Sequence, residues 1–555
     1  MPPRPPTPAC HPAPPPSSAS ASPPRHPGPP PTTPTPAPRS HRPRAPHPYR
    51  RTLTLTTRAA EGPYRQTFRE ATDGSIQYYG VNPPPAIEPG ATYGLALTLH
   101  GAGVEGIGQA QAYAPKDDLY LIAPTNRRRF GFDWEAWGRL NGLAALDDAL
   151  ARHPIDPTRV WLTGHSMGGH GTWHLGVTTP GRFAVIGPSA GWASFQSYVG
   201  LDIPDGLFGR ARAHSRTLDY IDNLTRRAVY IIHGDADDNV PVREGRDMFA
   251  AVGEVTDDII YHEEPGAGHW WDNDPAPGAA CVDWPPLFEL MRERRLDPFE
   301  LDFHFRTPGP GYSATHSVVR VEAAITPLED ITLDARRDGD HLELTTHNAR
   351  ALTLDGTALA ERGITTVTVD GIDAEVTPDA MPFGTHGQKT AAAHGPLAQA
   401  FERPFCFVYA ADEPEWRRVA AYWASYWQLV GNGHACGLTD ETFTGDEGYR
   451  AIRLGAAADP MRLDPFDWDA GGVTVDGTPH PDTALVMVRR EGPAHDGPLA
   501  AALVAADGAA HLLLQVVPFG STAGLPDWLV FAADGGRAVG FFDPDWRYDP
   551  ALSLP

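Results

Sequence analysis

Arg159-Val-Trp-Leu-Thr-Gly-His-Ser-Met-Gly-Gly-His-Gly-Thr-Trp173 decides how the rest of the chain is read. An apolar, partly β-branched run, Val160 to Thr163, meets Gly164-His165-Ser166-Met167-Gly168, and a helix-compatible segment, Thr172 to Leu175, follows. In this strand–turn–helix setting a G-x-S-x-G lifts its serine hydroxyl on a strained elbow above the carboxyl end of a parallel sheet. The two glycines have a steric job, because a Cβ at Gly164 or Gly168 would collide with the neighbouring strand or helix. Read as an ordinary glycine-rich turn, the same residues would carry no chemistry. The flanking pattern and the partners downstream argue against that reading.

Around the elbow, strand-like and helix-like segments alternate. Thr52 to Thr56 and Ile76 to Gly80 read as opening strands, and Tyr93 to His100 as a buried strand running into Gly101-Ala-Gly103. Then come Leu119–Ala123 (strand), Leu140–Arg152 (helix), Val160–Thr163 (strand) and Met167–Val177 (helix). Strands at 183–187, 228–233 and 257–262 complete the series. The pattern predicts a mostly parallel sheet with helices on both faces, binding ligands outside the carboxyl ends of its strands.

A serine hydroxyl is a poor nucleophile until a base takes its proton and an acid orients that base. The strand at 228–233 ends in His233-Gly-Asp-Ala-Asp-Asp-Asn-Val-Pro-Val242, and the next ends in Glu264-Pro-Gly-Ala-Gly-His269-Trp-Trp271. His269, on a glycine-rich approach, is the expected base, and Asp235, Asp237 and Asp238 are candidate acids. Donors for a developing oxyanion are expected from the amide of Met167, after the serine, and of Ala102, in the turn after His100. Trp134, Trp137, Trp192, Trp270 and Trp271 fall on loops near this rim, as a substrate wall or as packing beneath it.

The same turn offers a rival. Gly101-Ala-Gly-Val-Glu-Gly106 matches the G-x-G-x-x-G of a dinucleotide loop, which would make the protein an NAD(P)-dependent oxidoreductase. That fingerprint wants an acidic residue at the end of the next strand, where Pro124-Thr-Asn stands instead. His262-Glu-Glu264 does not make a zinc motif, since Pro265 prevents the helical spacing, and neither metal nor cofactor is expected. A catalytically inactive binding protein is a further alternative.

Gly164-His-Ser-Met-Gly-Gly-His-Gly171, His233-Gly-Asp-Ala-Asp-Asp-Asn-Val-Pro241 and Gly268-His-Trp-Trp271 together resemble the catalytic domain of the prolyl oligopeptidase (S9) family. They are also similar to its dienelactone-hydrolase-like and feruloyl/acetyl-esterase relatives in the α/β-hydrolase superfamily. The resemblance spans roughly residues 60–295. It implies an α/β-hydrolase fold and a serine hydrolase that cleaves ester or peptide bonds through an acyl-enzyme. In that family the acid is the fourth residue after the histidine of H-G-x-x-D, which assigns Asp237 beside Ser166 and His269. Prolyl oligopeptidases place a β-propeller before this domain, whereas here the accessory region follows it, so an esterase is as well supported as a peptidase.

The remaining composition sets bounds. Residues 1–50, proline-rich and without Asp or Glu, are expected to be a disordered tail. The hydrolase domain is expected over 51–298, a small antiparallel β unit over 299–380, and a mixed α/β region over 381–555. In that last region, strands are expected at 405–410, 449–454, 483–489, 511–517 and 528–532, and a helix at 415–430. A net charge of −24 argues against nucleic acid as a partner. No apolar run suits a membrane. The expected partner is a small ester or short peptide, and with no secretory signal the expected location is cytoplasmic. Cys10, Cys281, Cys406 and Cys436 lack the spacing of a disulfide framework.

Overall fold

Successive residues of a strand face opposite sides of its sheet, and here both sides are dry. Leu95, Leu97, Leu99, Val160, Leu162, Val229 and Ile231 pack into one core, whereas Ala96, Trp161, Tyr230 and Ile232 enter another. Continuous apolar strands of this kind fit a parallel sheet covered on both faces. The computed structural model describes residues 62–554 apart from positions 202, 204, 446–447, 492–497 and 522–523. The proline-rich tail and the expected strand at 52–56 lie outside the described residues.

The first sheet contains β1 (Tyr64–Arg69), β2 (Ile76–Asn82), β3 (Tyr93–Leu99), β4 (Leu119–Ala123), β5 (Ile155–His165), β6 (Val185–Ser189), β7 (Ala228–Gly234) and β8 (Ile259–Glu264). Its spatial order is β1-β2-β4-β3-β5-β6-β7-β8. β2 is antiparallel to β1 and β4, and every pair from β4–β3 to β7–β8 is parallel. Three helices matter for the site: α1 (Gly106–Gln111), α2 (Ala136–Arg152) and α3 (Met167–Thr178). This is the α/β-hydrolase arrangement.

Beyond it, four- and five-stranded sheets share one core. The expectation of a purely antiparallel unit ending at 380 is corrected in two ways. His341–Leu344 pairs in parallel with Thr366–Val369, and Ala380–Gly384 continues the four-stranded sheet past the expected boundary. A mixed eight-stranded sheet follows, with the strand at Phe405–Tyr409 beside Cys436–Thr439 and Arg450–Leu454. The Pro414–Gly431 helix buries Trp416, Trp423 and Trp427.

Two further expectations fail. His511 to Val517 is not a strand: residues Ala510–Gln515 form a 3-10 turn that buries adjacent Leu512 and Leu513 together, with the Leu513 carbonyl accepting from Trp423 Nε1 at 3.1 Å. Adjacent burial breaks the two-residue alternation a half-buried strand requires. Cys406 and Cys436, whose spacing supports no disulfide framework, form a disulfide. They are register partners on neighbouring parallel strands, a proximity that sequence spacing does not reveal.

Candidate active site

The elbow forms because β5 and α3 meet with no room for side chains at the turn. A Cβ on Gly168 would strike the Leu99 carbonyl of β3, and one on Gly164 would strike the Gly168 carbonyl. Ser166 between them takes φ 60 and ψ −120, a conformation that costs a non-glycine residue on the order of 1–3 kcal/mol and persists only where its surroundings enforce it.

His269, just past β8, reaches back to this serine. Its Nε2 lies 2.8 Å from Ser166 Oγ and its Nδ1 lies 2.8 Å from Asp237 Oδ2. Asp237, past β7, is fixed in turn: its Oδ1 accepts from the Asn239 and Val240 amides, each at 2.9 Å. His233 Nε2 stands 3.3 Å from its Oδ2. Burial by itself would raise the Asp237 carboxyl, but the hydrogen bonds from His233, His269 and Asn239 outweigh it and hold the group well below the aspartate range. A permanently ionised Asp237 keeps the proton of His269 on Nδ1, which leaves Nε2 free to accept from the serine. Of the other candidate acids, Asp235 accepts from the Gly266 amide at 2.6 Å, and neither it nor Asp238 meets His269.

His165, next to the serine, is a different kind of histidine. Burial first, and then the field of His269, pull it down to about 3. Its Nδ1 lies 3.0 Å from Ser189 Oγ, whose own hydroxyl donates to the Cys281 carbonyl at 2.6 Å. A neutral ring of this kind packs beside His269, with centroids 4.9 Å apart, and does not compete with it for protons.

Of the expected oxyanion donors, Met167 follows Ser166 in the chain and Ala102 lies in a turn that abuts it. Met167 opens α3, so its N–H belongs to the unsatisfied positive end of a twelve-residue helix. A Cβ on Gly101 would come within 3.3 Å of Ser166 Cβ, so the 101–103 turn abuts the serine. The Gly103 amide donates to the Arg129 carbonyl at 3.0 Å, whereas no described backbone carbonyl takes that of Ala102. The turn that also reads as a dinucleotide loop is thus closed against Ser166, and the helix behind it, α1, is six residues long.

The tryptophan wall is mostly packing. Trp134, Trp137, Trp192 and Trp271 are buried, and Trp270, half exposed, meets the edge of His165 with centroids 5.1 Å apart. The burial follows from position: Trp134 Nε1 donates to the His100 carbonyl at 3.0 Å, and Trp192 stacks on His170.

Residues 128–277 match the model of the prolyl oligopeptidase family. The matched stretch, which carries Ser166, Asp237 and His269, is thus similar to that family. An "Uncharacterized secreted protein" of Arthroderma benhamiae is 27% identical over 365 residues, 59% of this chain and 38% of that protein. The "Uncharacterized peptidase YuxL" of Bacillus subtilis is 28% identical over 233 residues, 37% of this chain and 35% of that protein. The chain therefore spans less than two-fifths of the length of these curated relatives. Among solved structures, the Pyrococcus horikoshii acylaminoacyl peptidase is similar at 16% identity over 44% of this chain and 43% of its own, with a TM-score of 0.34.

Sequence reasoning missed a second cluster behind the hydrolase elbow. Glu135, wholly buried, lies 3.2 Å from His170 Nε2 on α3 and accepts from Ser215 Oγ. Burial would raise its carboxyl, but the hydrogen bond to His170 and the fields of His174 and His214 bring it down to about 2. A buried glutamate next to a G-G-H-G helix start carries no motif, so only packing reveals it.

Proposed function

We propose that the protein cleaves carboxylic ester or amide bonds through an acyl-enzyme on Ser166. His269 takes the hydroxyl proton as Ser166 attacks the carbonyl carbon, and Asp237 holds the imidazolium that results. The Met167 and Ala102 amides stabilise the tetrahedral oxyanion. His269 then returns the proton to the departing alcohol or amine, and a water attacks the acyl-serine by the same route. The observation that carries this reading is the unbroken chain Ser166–His269–Asp237, at 2.8 Å for each link, with the serine held on its strained elbow.

Both peptidases and esterases occur among similar proteins, so the scissile bond is the point to test. Purified full-length chain should be assayed side by side on p-nitrophenyl esters and on Pro- and Ala-p-nitroanilides. Turnover of at least one class is expected, falling by about a thousandfold or more in Ser166→Ala with the thermal melt unchanged. Wild-type turnover in that variant would remove Ser166 from the mechanism; no turnover in the wild type would favour an inactive binding protein. The Cys406–Cys436 disulfide weighs against the cytoplasmic expectation, because such bonds persist in oxidising compartments.

A further inference from the structure

Beside the oxyanion turn a groove of about 510 Å³ runs between the loop after β4 and the end of the Pro414–Gly431 helix. Glu105, Thr125, Arg128 and Phe130 line one side, and Leu429 and Asn432 the other. The groove starts close to the reacting centre. Ala102 and Glu105 are three residues apart, hence within about 11 Å of each other, and a Cβ on Gly103 would touch the Phe130 ring at 3.6 Å.

Its charge is the opposite of the protein's. Arg65 and Arg129 share a single carboxylate, Glu105, at 3.1 and 2.8 Å. Arg128 donates to the Gln428 carbonyl at 2.8 Å and has no carboxylate partner among the described residues. An excess of guanidinium is thereby concentrated on one face of a chain whose net charge is −24.

Two residues that line the groove also carry buried donors without acceptors. Thr125 is 6% exposed, and neither its Oγ1 nor the buried Arg127 Nη1 has a hydrogen-bond partner among the described residues; Glu70 Oε2 lies 3.8 Å from the latter, beyond hydrogen-bond reach. Leaving a buried donor unmatched is costly, and both donors call for an acceptor oxygen. Two apolar side chains stand out from the walls, Phe130 at 66% and Leu429 at 69% exposure.

We propose that this groove is a substrate subsite that takes a carboxylate carried on an aromatic or apolar body, the anion facing Arg128 and the Thr125 and Arg127 donors and the body lying on Phe130 and Leu429. As a substrate subsite it rests on the acyl-enzyme reading above, while its affinity for the anion does not. Recognition of this kind also gives the C-terminal region a part in specificity, since Leu429 and the Gln428 carbonyl belong to its helix.

The test measures binding of 3-phenylpropanoate and of its neutral amide to the full-length Ser166→Ala protein by calorimetry, and then to the same protein carrying Arg128→Gln or Thr125→Val. The acid should bind more tightly than the amide, and this preference should fall about fivefold without Arg128 and weaken with added salt. It should fall in Thr125→Val as well. In the wild type, 3-phenylpropanoate should inhibit hydrolysis of a neutral ester competitively. Equal binding of acid and amide, a preference that survives both substitutions, or inhibition that is not competitive would overturn the proposal. Residual turnover in Ser166→Ala would count against the acyl-enzyme and leave the binding result standing, so the two failures are distinguishable.

Discussion

Apart from Ala190 after β6, two stretches of the hydrolase domain hold non-glycine residues at positive φ, and they are held there by different means. At the elbow only Ser166 does so, with φ 60, and its constraints are the glycines two positions away and the adjacent strand β3. In the loop between β4 and α2, Asn126, Arg127, Asp133 and Trp134 have φ between 51 and 66, and Ala136 at the start of α2 has φ 42. Asn126 Oδ1 ties the loop to itself by accepting from the Phe132 and Trp134 amides at 3.0 and 3.4 Å, and further restraints come from far along the chain. Asp73 Oδ2 accepts from Arg127 Nη2 at 2.5 Å and from Trp427 Nε1 and the His434 amide at 2.9 Å each. Arg127 Nε donates to the Gly431 carbonyl at 2.7 Å, and its guanidinium lies 4.6 Å from the Trp427 ring centroid. Phe132 and Trp137 are packed into the core of the C-terminal sheet, whereas Trp134 between them belongs to the hydrolase core. Strain at the elbow is written into local sequence; the loop is held in addition by the C-terminal region, which thereby braces the segment behind the Gly101–Gly103 turn.

That contrast can be broken at several points. At the elbow, Asp237→Asn should lower kcat by about ten-thousandfold, because His269 would be held in the wrong tautomer, with little change in thermal stability; a loss of fold instead would mean that Asp237 is chiefly structural. In the loop the opposite result is expected. Asp73→Leu leaves the buried Arg127 without its nearest carboxylate and should cost about 3–5 kcal/mol in urea unfolding, and activity should fall with it as the oxyanion turn loses its backing. An unchanged midpoint would separate the C-terminal region from the loop.

The two stretches meet at Glu135, and pH tests that junction. Its folded pKa of about 2 lies below the unfolded glutamate value of about 4.3. The stability it contributes is therefore present above the unfolded value and is lost as pH falls toward the folded one. Between pH ~4.3 and ~2 the wild type should lose more stability than Glu135→Gln, by denaturant midpoints at each pH. A difference between the two proteins that does not vary over this window would show that the carboxyl is not depressed.

Much of the hydrolase fold is legible in the sequence because its signals are local. Tyr93 to Leu99 is apolar throughout, as a doubly covered strand must be, and Ser166 and His269 stand at strand ends with glycines around them. Choosing Asp237 over Asp235 and Asp238 needs family resemblance, since three carboxylates within four positions have equal claims until the loop closes. The brace is illegible for the complementary reason. No motif marks Asp73, yet its side chain is wholly buried under residues more than 350 positions away. The same holds for the disulfide and for the 3-10 turn at Ala510–Gln515, each defined by a neighbour remote in sequence.

Everything at the elbow turns on Ser166 being an activated nucleophile. Intact-protein mass spectrometry after treatment with a fluorophosphonate measures this directly. The wild type should gain a single adduct, located on the peptide containing Ser166, with parallel loss of hydrolysis, and Ser166→Ala should gain none. An adduct of equal yield in Ser166→Ala, or an unlabelled wild type that still hydrolyses esters, would show that Ser166 is not the nucleophile.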